Sequence, residues 1–222
     1  EYFDDIISVK QCKVNVITNG YNPLNFNNLE KLRRSSFSVV HTGNFDRSRN
    51  PDSFLKAVAN IKDKFPEIFQ RNSIKFFGNF NPNVEDQIVK LKIGGIVKQF
   101  GLINYQDAIN EMSNASILLL VVHNDPVTPK FCIPAKLFEY MATDRPVLSI
   151  SPKGAASDII EECNIGISIP HNEIALIEQH LISYYKLFSK GELKDNKIDG
   201  KMLARYSREN LAYNLSVILN NI

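Results

Sequence analysis

The run His41-Thr42-Gly43-Asn44-Phe45-Asp46-Arg47-Ser48-Arg49-Asn50-Pro51 joins a β-like stretch to a glycine turn, two arginines and a helix start. A helix N-terminus carries unpaired N–H groups and the positive end of its dipole, so an anion there gains hydrogen bonds and favourable electrostatics. Arg47 and Arg49 would add bidentate donors for phosphate oxygens; the alternative is a solvent loop whose arginines lie along the surface. No GK[ST] follows the glycine and no GxGxxG is present, so neither phosphate-binding signature applies. A second run, Pro134-Ala135-Lys136-Leu137-Phe138-Glu139-Tyr140-Met141-Ala142, opens a helix after the irregular stretch 123–133. Lys136 and Glu139, three residues apart, flank one surface of it. A carboxylate there can accept hydrogen bonds from a vicinal diol such as a ribose, as the acidic residue of dinucleotide folds does, or it forms a plain surface ion pair with the lysine. Two more loops, Phe100-Gly101-Leu102-Ile103-Asn104-Tyr105 and Ser151-Pro152-Lys153-Gly154-Ala155-Ala156-Ser157, offer backbone groups near strand ends, or are simple βα connections.

Other chemistries lack their residues. His41, His123, His171 and His180 show no zinc-binding spacing, and no GxSxG elbow is present. Cys12, Cys132 and Cys163 are odd in number and far apart, which argues against a disulfide framework and for a reducing, cytosolic setting. Cys132, in a loop before Ile133-Pro134, has no partner motif and reads as an inert thiol. With 26 Lys+Arg against 24 Asp+Glu the net charge is +2, too little for the basic stripe that marks duplex nucleic-acid binding. The longest apolar run, Ile117 to Val122, is far short of the roughly 20 residues that span a bilayer. The chain opens at Glu1 with no leader pattern, and is read as a fragment lacking sequence on its N-terminal side.

These loops need a frame. A chain of 222 residues, 44% hydrophobic and 23% charged, has the composition of a globular α/β domain. Strands are expected at Val14–Thr18, Phe37–His41, Ser73–Phe77, Ile96–Phe100, Ile117–Val122, Val147–Ile150 and Ile165–Ile169, mostly apolar throughout as in parallel sheets covered on both faces. The first of these is weak enough to be only a linker. Helices are expected at Pro51–Lys64, Val84–Lys92, Gln106–Ser113, Ala135–Ala142, Ser157–Glu162, Asn172–Phe188 and Arg208–Asn220. Phe54, Leu55, Val58 and Ile61 share a face of the first, with Asn50 as N-cap and Pro51 at N1. Ser207 reads as the N-cap of the last helix, whose Leu211, Leu215, Ile218 and Leu219 need a surface to cover them. Asn19-Gly20 reads as a turn.

In their order and spacing these segments resemble the donor-binding, C-terminal half of a GT-B glycosyltransferase, most similar to the retaining family 4 group. The resemblance rests on Val16-Ile17-Thr18-Asn19-Gly20-Tyr21, on His41-Thr42-Gly43 with the basic loop to Asn50-Pro51, on Phe100-Gly101-Leu102-Ile103, on Pro134 to Ala142 with Arg145-Pro146-Val147, and on Tyr206-Ser207-Arg208-Glu209. It implies a Rossmann-like three-layer α/β/α fold with a mostly parallel sheet of about six strands, one half of a GT-B architecture. Residues 1–13 would end a linker, 14–204 form the donor domain, and 205–222 form a helix packing towards a missing N-terminal domain. By the resemblance Glu139 holds the donor ribose; Arg47 and Arg49, with the N–H groups around Gly43 and Asn44, take the pyrophosphate; Lys136 and the Ala135 backbone lie near phosphate or sugar; and Ile103 offers backbone contacts to the base.

The resemblance further implies a sugar transferase, active in bacterial polysaccharide or cell-envelope assembly. Its donor would be a nucleotide diphosphate sugar of UDP or GDP type, with no metal and no other cofactor. Its acceptor would be a glycan or lipid-linked molecule met through the missing half, so that this chain alone shows little transfer. Its location would be cytoplasmic, with peripheral contact of the full-length protein at the inner face of the membrane, and it would not bind nucleic acid. Two features depart from the family pattern. Many members carry a second glutamate eight positions before the first, where Phe131 stands here, and the basic residue usual after the first glycine is replaced by Asn44. A GT-B nucleotide-sugar epimerase, and a binding module that has lost its donor site, remain as alternatives on the same fold.

Overall fold

The computed structural model describes residues 14–27 and 34–221; the expected linker 1–13, with Cys12, lies outside them. Six parallel strands form one sheet in the order β3-β2-β1-β4-β5-β6: β1 Ser38–Thr42, β2 Ser73–Phe77, β3 Val97–Gln99, β4 Ile117–Val121, β5 Val147–Ile150 and β6 Gly166–Ile169. Between and after them run α1 Asp52–Lys64, α2 Pro82–Lys90, α3 Tyr105–Asn114, α4 Lys136–Ala142, α5 Ala155–Glu162, α6 Ile174–Ser189, α7 Gly200–Ala204 and α8 Arg208–Leu219.

Alternate side chains of each strand enter different layers, as the pleat requires. Val39, Phe76, Leu119, Val121 and Ile150 meet α1, α2 and α6 through Phe54, Val58, Val84 and Ile177. Val40, Phe77, Leu118, Leu120 and Val147 meet α3, α4 and α5 through Ile109, Met112, Leu137, Phe138 and Ile160. Because both layers close within the chain, the central strands are covered on both faces, and β4 and β5 are buried at every residue. The fold is therefore the Rossmann-like α/β/α arrangement expected.

Four local expectations change. Val14–Thr18 is not a strand; Val16 is 83% exposed, and only Tyr21 makes a bridge, to Ser207. The N-cap of α1 is Pro51 and the helix begins at Asp52, one residue later than the Asn50/Pro51 reading, because Asn50 Oδ1 reaches forward to the Asp52 N–H at 3.2 Å. The polar stretch after Gly191 contains α7, capped by Asp199, and is fastened to the sheet by Asn196, whose N–H donates to the Asp144 carbonyl at 2.7 Å. Gly20 does not simply turn the chain: a Cβ there would sit 2.3 Å from the Tyr206 carbonyl oxygen, so glycine permits this close approach of the segment before Tyr21 to the start of α8. Ser207 caps α8 as expected, accepting from the Asn210 N–H, and α8 has no buried residue.

Candidate functional site

The strand order reverses between β1 and β4, where an open α/β sheet opens a crevice at the carboxyl ends of its strands. The two strands pair only at Val39–Ile117 and Val40–Leu118 and then part. Beyond that point side chains replace the ladder. The Leu119 carbonyl accepts from His41 Nδ1 at 2.9 Å and from the Tyr140 hydroxyl at 3.2 Å, and that hydroxyl accepts in turn from the Thr42 N–H. Three successive strands end in glycines with positive φ, Gly43, Gly78 and Gly101, joined in a row: the Gly43 N–H donates to the Phe77 carbonyl and the Gly78 N–H to the Gly101 carbonyl, both at 2.7 Å. A Cβ on Gly78 would lie 2.4 Å from the Gly43 oxygen, so these turns stack backbone on backbone.

Lys136 opens α4 at the mouth of this crevice. Its Nζ stands 3.3 Å from His41 Nε2 and so close over Gly43 that a Cβ there would meet it at 2.6 Å. Because His41 Nδ1 faces a carbonyl, that nitrogen carries the proton and Nε2 is left to accept from the ammonium. His41 is 1% exposed and stacks on Phe45 with ring centroids 4.0 Å apart. Burial, reinforced by the Lys136 charge, holds its pKa well below the ordinary imidazole value, so it stays neutral. Burial and the neighbouring Arg49 bring Lys136 down to about 7, against the opposite pull of Glu139 and Asp46. Among the described residues no carboxylate pairs with this ammonium.

The β1–α1 loop places its two arginines differently. Arg49 lies close enough to Lys136 and His41 to act on both electrostatically. It is held by Asp46, whose Oδ2 accepts from Nε at 2.9 Å and from Nη2 at 2.5 Å, while Oδ1 accepts the N–H groups of Ser48 and Arg49. Burial raises the Asp46 carboxyl, but the hydrogen bonds from Arg49 and Ser48 outweigh it and hold the group well below the usual carboxylate range. Arg47 instead lines a 180 Å³ groove with Asp46, Asn50, Asp52, Asn81 and Asn83. At the α1 N-terminus Asn50 already accepts the first N–H, and Asp52 places a carboxylate in the first turn. Gly43 spends its N–H on Phe77, and the Asn44 side chain accepts from the Asn79 N–H at 2.9 Å; the Asn44 N–H has no partner among the described residues.

Glu139 follows Lys136 by one turn, and its Oε1 accepts from the Tyr105 hydroxyl at 2.8 Å. The Ala135 position, which precedes α4, carries no side-chain cap; the Leu137 and Phe138 N–H groups donate instead to the Pro134 and Ala135 carbonyls. Ile103 is half-buried against the second core layer, at the edge of a groove shared with Phe77 and Asp107. Phe131 is 51% exposed in the loop before α4, and that loop packs on Gly154, where a Cβ would lie 2.1 Å from the Pro129 oxygen. A cavity of about 470 Å³ lies along β6 and α5, and its lining includes Lys153, Asp158 and Glu161. Sequence reasoning passed over His41 and Tyr105. The signal for His41 was a polar residue in an apolar strand directly before the glycine turn; for Tyr105 it was an aromatic hydroxyl placed by the Asn104 helix cap, whose Oδ1 accepts from the Asp107 N–H.

Among the described residues no group of three or more His, Cys, Asp and Glu is arranged to hold a metal, and no helix is long and apolar enough to cross a membrane. A parallel Rossmann-like sheet with cations and a carboxylate gathered at its switch point is the arrangement in which open α/β sheets take their ligands. Among solved structures the chain is similar to a mutant of S. aureus TarM in complex with fondaparinux, α-GlcNAc-glycerol and UDP (TM-score 0.70, 14% identity, 97% of this chain and 41% of that one). It is similar to Anabaena Alr3699/HepE in complex with UDP-glucose (TM-score 0.73, 14% identity, 94% and 57%) and to a glycosyltransferase from Rickettsia africae (TM-score 0.69, 14% identity, 97% and 60%). The chain thus spans about half the length of these neighbours. No curated protein matches it in sequence. Residues 27–197 match the family described as glycosyl transferases group 1, and the chain belongs to that family.

Proposed function

We propose that the crevice binds a nucleotide diphosphate sugar and that the chain is the C-terminal, donor-binding half of a retaining GT-B glycosyltransferase. The observation that carries this reading is Lys136: an ammonium that meets no carboxylate among the described residues, set over Gly43 at the switch point, with the Glu139 carboxylate one helical turn away. A partly buried cation with no counter-charge is costly, and a diphosphate would supply that charge. Lys136, Arg49 and the Asn44 N–H would meet the phosphates; Glu139 would accept from the ribose hydroxyls; and the backbone near Ile103 would face the base. When the bond from the anomeric carbon to the diphosphate oxygen breaks, negative charge grows on the leaving group. Cations already fixed in place stabilise it without reorganising, so no metal is required. Tying Arg49 to Asp46 lowers its pull on phosphate but fixes its place.

The membership in group 1 and the UDP complexes named for two of the neighbours support a UDP or GDP donor. The acceptor, a glycan or lipid-linked molecule of bacterial polysaccharide or cell-envelope assembly, would meet the donor through an N-terminal half packed on α8, at the cytoplasmic side of the membrane. Calorimetric titration of UDP, GDP and ADP tests the reading. One nucleotide should bind, and Lys136→Met and Glu139→Ala should each weaken it about tenfold or more, the worth of a hydrogen bond to a charged group. Failure of all three to bind the folded chain would overturn it.

A further inference from the structure

Resting on that donor-site reading, we propose that Tyr105 is a positioning residue that orients Glu139 and thereby sets the site's preference for a ribose over a 2′-deoxyribose. The Tyr105 hydroxyl donates to Glu139 Oε1 at 2.8 Å, across 34 residues and from a different helix. The donor is itself held: Asn104 caps α3 by accepting from the Asp107 N–H, which fixes Tyr105 at the first position of the helix, and Asn25 Nδ2 reaches the same hydroxyl at 3.4 Å. Tyr105 is 46% exposed, so burial of its ring does not account for its position, and its hydroxyl points at the one carboxylate assigned to the ligand.

A glutamate on a partly exposed helix face samples several side-chain rotamers. One donated hydrogen bond to Oε1 selects among them, yet leaves a lone pair on Oε1 and both on Oε2. A carboxylate so held presents two acceptors at fixed separation, which is what a vicinal 2′,3′-diol requires and a lone 3′-hydroxyl does not. The orientation is then fixed before the ligand arrives, which lowers the ordering cost of binding.

The test compares UDP with 2′-deoxy-UDP, and GDP and ADP with their deoxy counterparts, on the wild-type chain, Tyr105→Phe, Glu139→Gln and the double variant, following the base that binds. Tyr105→Phe should weaken the ribonucleotide about tenfold, change the deoxynucleotide less than about twofold, and leave the melting temperature near wild type. In the Glu139→Gln background the same change should do nothing further, since the two groups act as one unit. Equal weakening of both nucleotides, an unchanged ratio, or additivity in the double variant would overturn the positioning role. Tighter ribonucleotide binding by Tyr105→Phe would overturn it as well, by showing that the hydroxyl competes with the ribose. If no ribonucleotide binds the wild-type chain, the donor-site reading falls, and this inference falls with it.

Discussion

Lys136 Nζ rests 3.3 Å from His41 Nε2, an ammonium held against an imidazole that is itself fixed by the Leu119 carbonyl. Since the Lys136 pKa is brought down to about 7, a bound diphosphate must raise it, and binding takes up a proton above neutrality. Nucleotide affinity should therefore fall as pH rises from 7.5 to 9, by up to about tenfold per unit, and this slope should vanish in Lys136→Met. Calorimetry in two buffers of different ionisation enthalpy reads the proton uptake directly.

The same lysine gives stability a pH dependence of known sign. In the unfolded chain it titrates near 10.4, so between about 7 and 10.4 the unfolded state holds more protons and stability rises with pH. The melting temperature of the wild type relative to Lys136→Met should rise over that window. His41 acts at the other end. Its pKa lies well below the imidazole value of the unfolded chain, so its contribution is present above pH 6.5 and is lost as pH falls below it. His41→Leu should flatten the acid limb of the stability curve, while costing about 1–3 kcal/mol near neutrality through the hydrogen bond it removes.

Gly43 has φ +107°, and its missing Cβ leaves the place where the lysine head sits. Gly43→Ala should cost about 1–3 kcal/mol for the backbone strain and also displace Lys136, so denaturant melts and nucleotide titrations should both change. Gly101→Ala offers the contrast. It has φ +67°, but nothing stands within 4 Å of its Cβ position, so it should lose stability with little change in phosphate binding.

Much of this fold could be read directly from residue patterns, because strands buried on both faces become short apolar runs and helices on such a sheet show one apolar stripe. Phe54, Leu55, Val58 and Ile61 were all expected in the core, and all are buried. What misled was whatever depends on a distant partner. Val14–Thr18 has strand-like residues but no neighbouring strand, and Asn50 reaches past Pro51 to the next N–H. The candidate site divides in the same way. Lys136 and Glu139 share a helix, and their spacing places them together, whereas the roles of His41 and Tyr105 come from contacts across 95 and 34 residues. Nor does spacing distinguish Arg47 from Arg49, which the loop sends in different directions.

That divergence is measurable. Arg49 acts on Lys136 and His41 electrostatically, while Arg47 lines the groove with Asp52 and Asn81. Arg49→Ala should weaken nucleotide binding severalfold or more, and Arg47→Ala by less than about twofold; equal losses in a titration at fixed salt would place both on the phosphates. Arg49→Ala also releases the Asp46 carboxylate, which would then repel a phosphate, so Asp46→Asn/Arg49→Ala should recover part of the loss.

Arg145, singled out in sequence only as part of Arg145-Pro146-Val147, is 2% exposed and lies in the turn that leads into β5. Its Nε donates to the Ser113 carbonyl at 2.7 Å at the end of α3, and its Nη1 donates to Asp195 Oδ1 at 2.5 Å. Arg34 joins the same Asp195 oxygen at 3.1 Å. The guanidinium thus fastens the segment after Gly191 to the sheet, and α7 and α8 follow from that segment. Arg145→Ala removes the bond to the Ser113 carbonyl and one of the two cations on the partly exposed Asp195, so it should cost about 1–3 kcal/mol. Arg145→Lys should recover only part, because a single ammonium cannot serve two directions from a planar fork. Nucleotide affinity measured well below the melting temperature should stay within about twofold of wild type for both variants; a large loss would mean that the Asp195 segment sets the crevice as well as the fold.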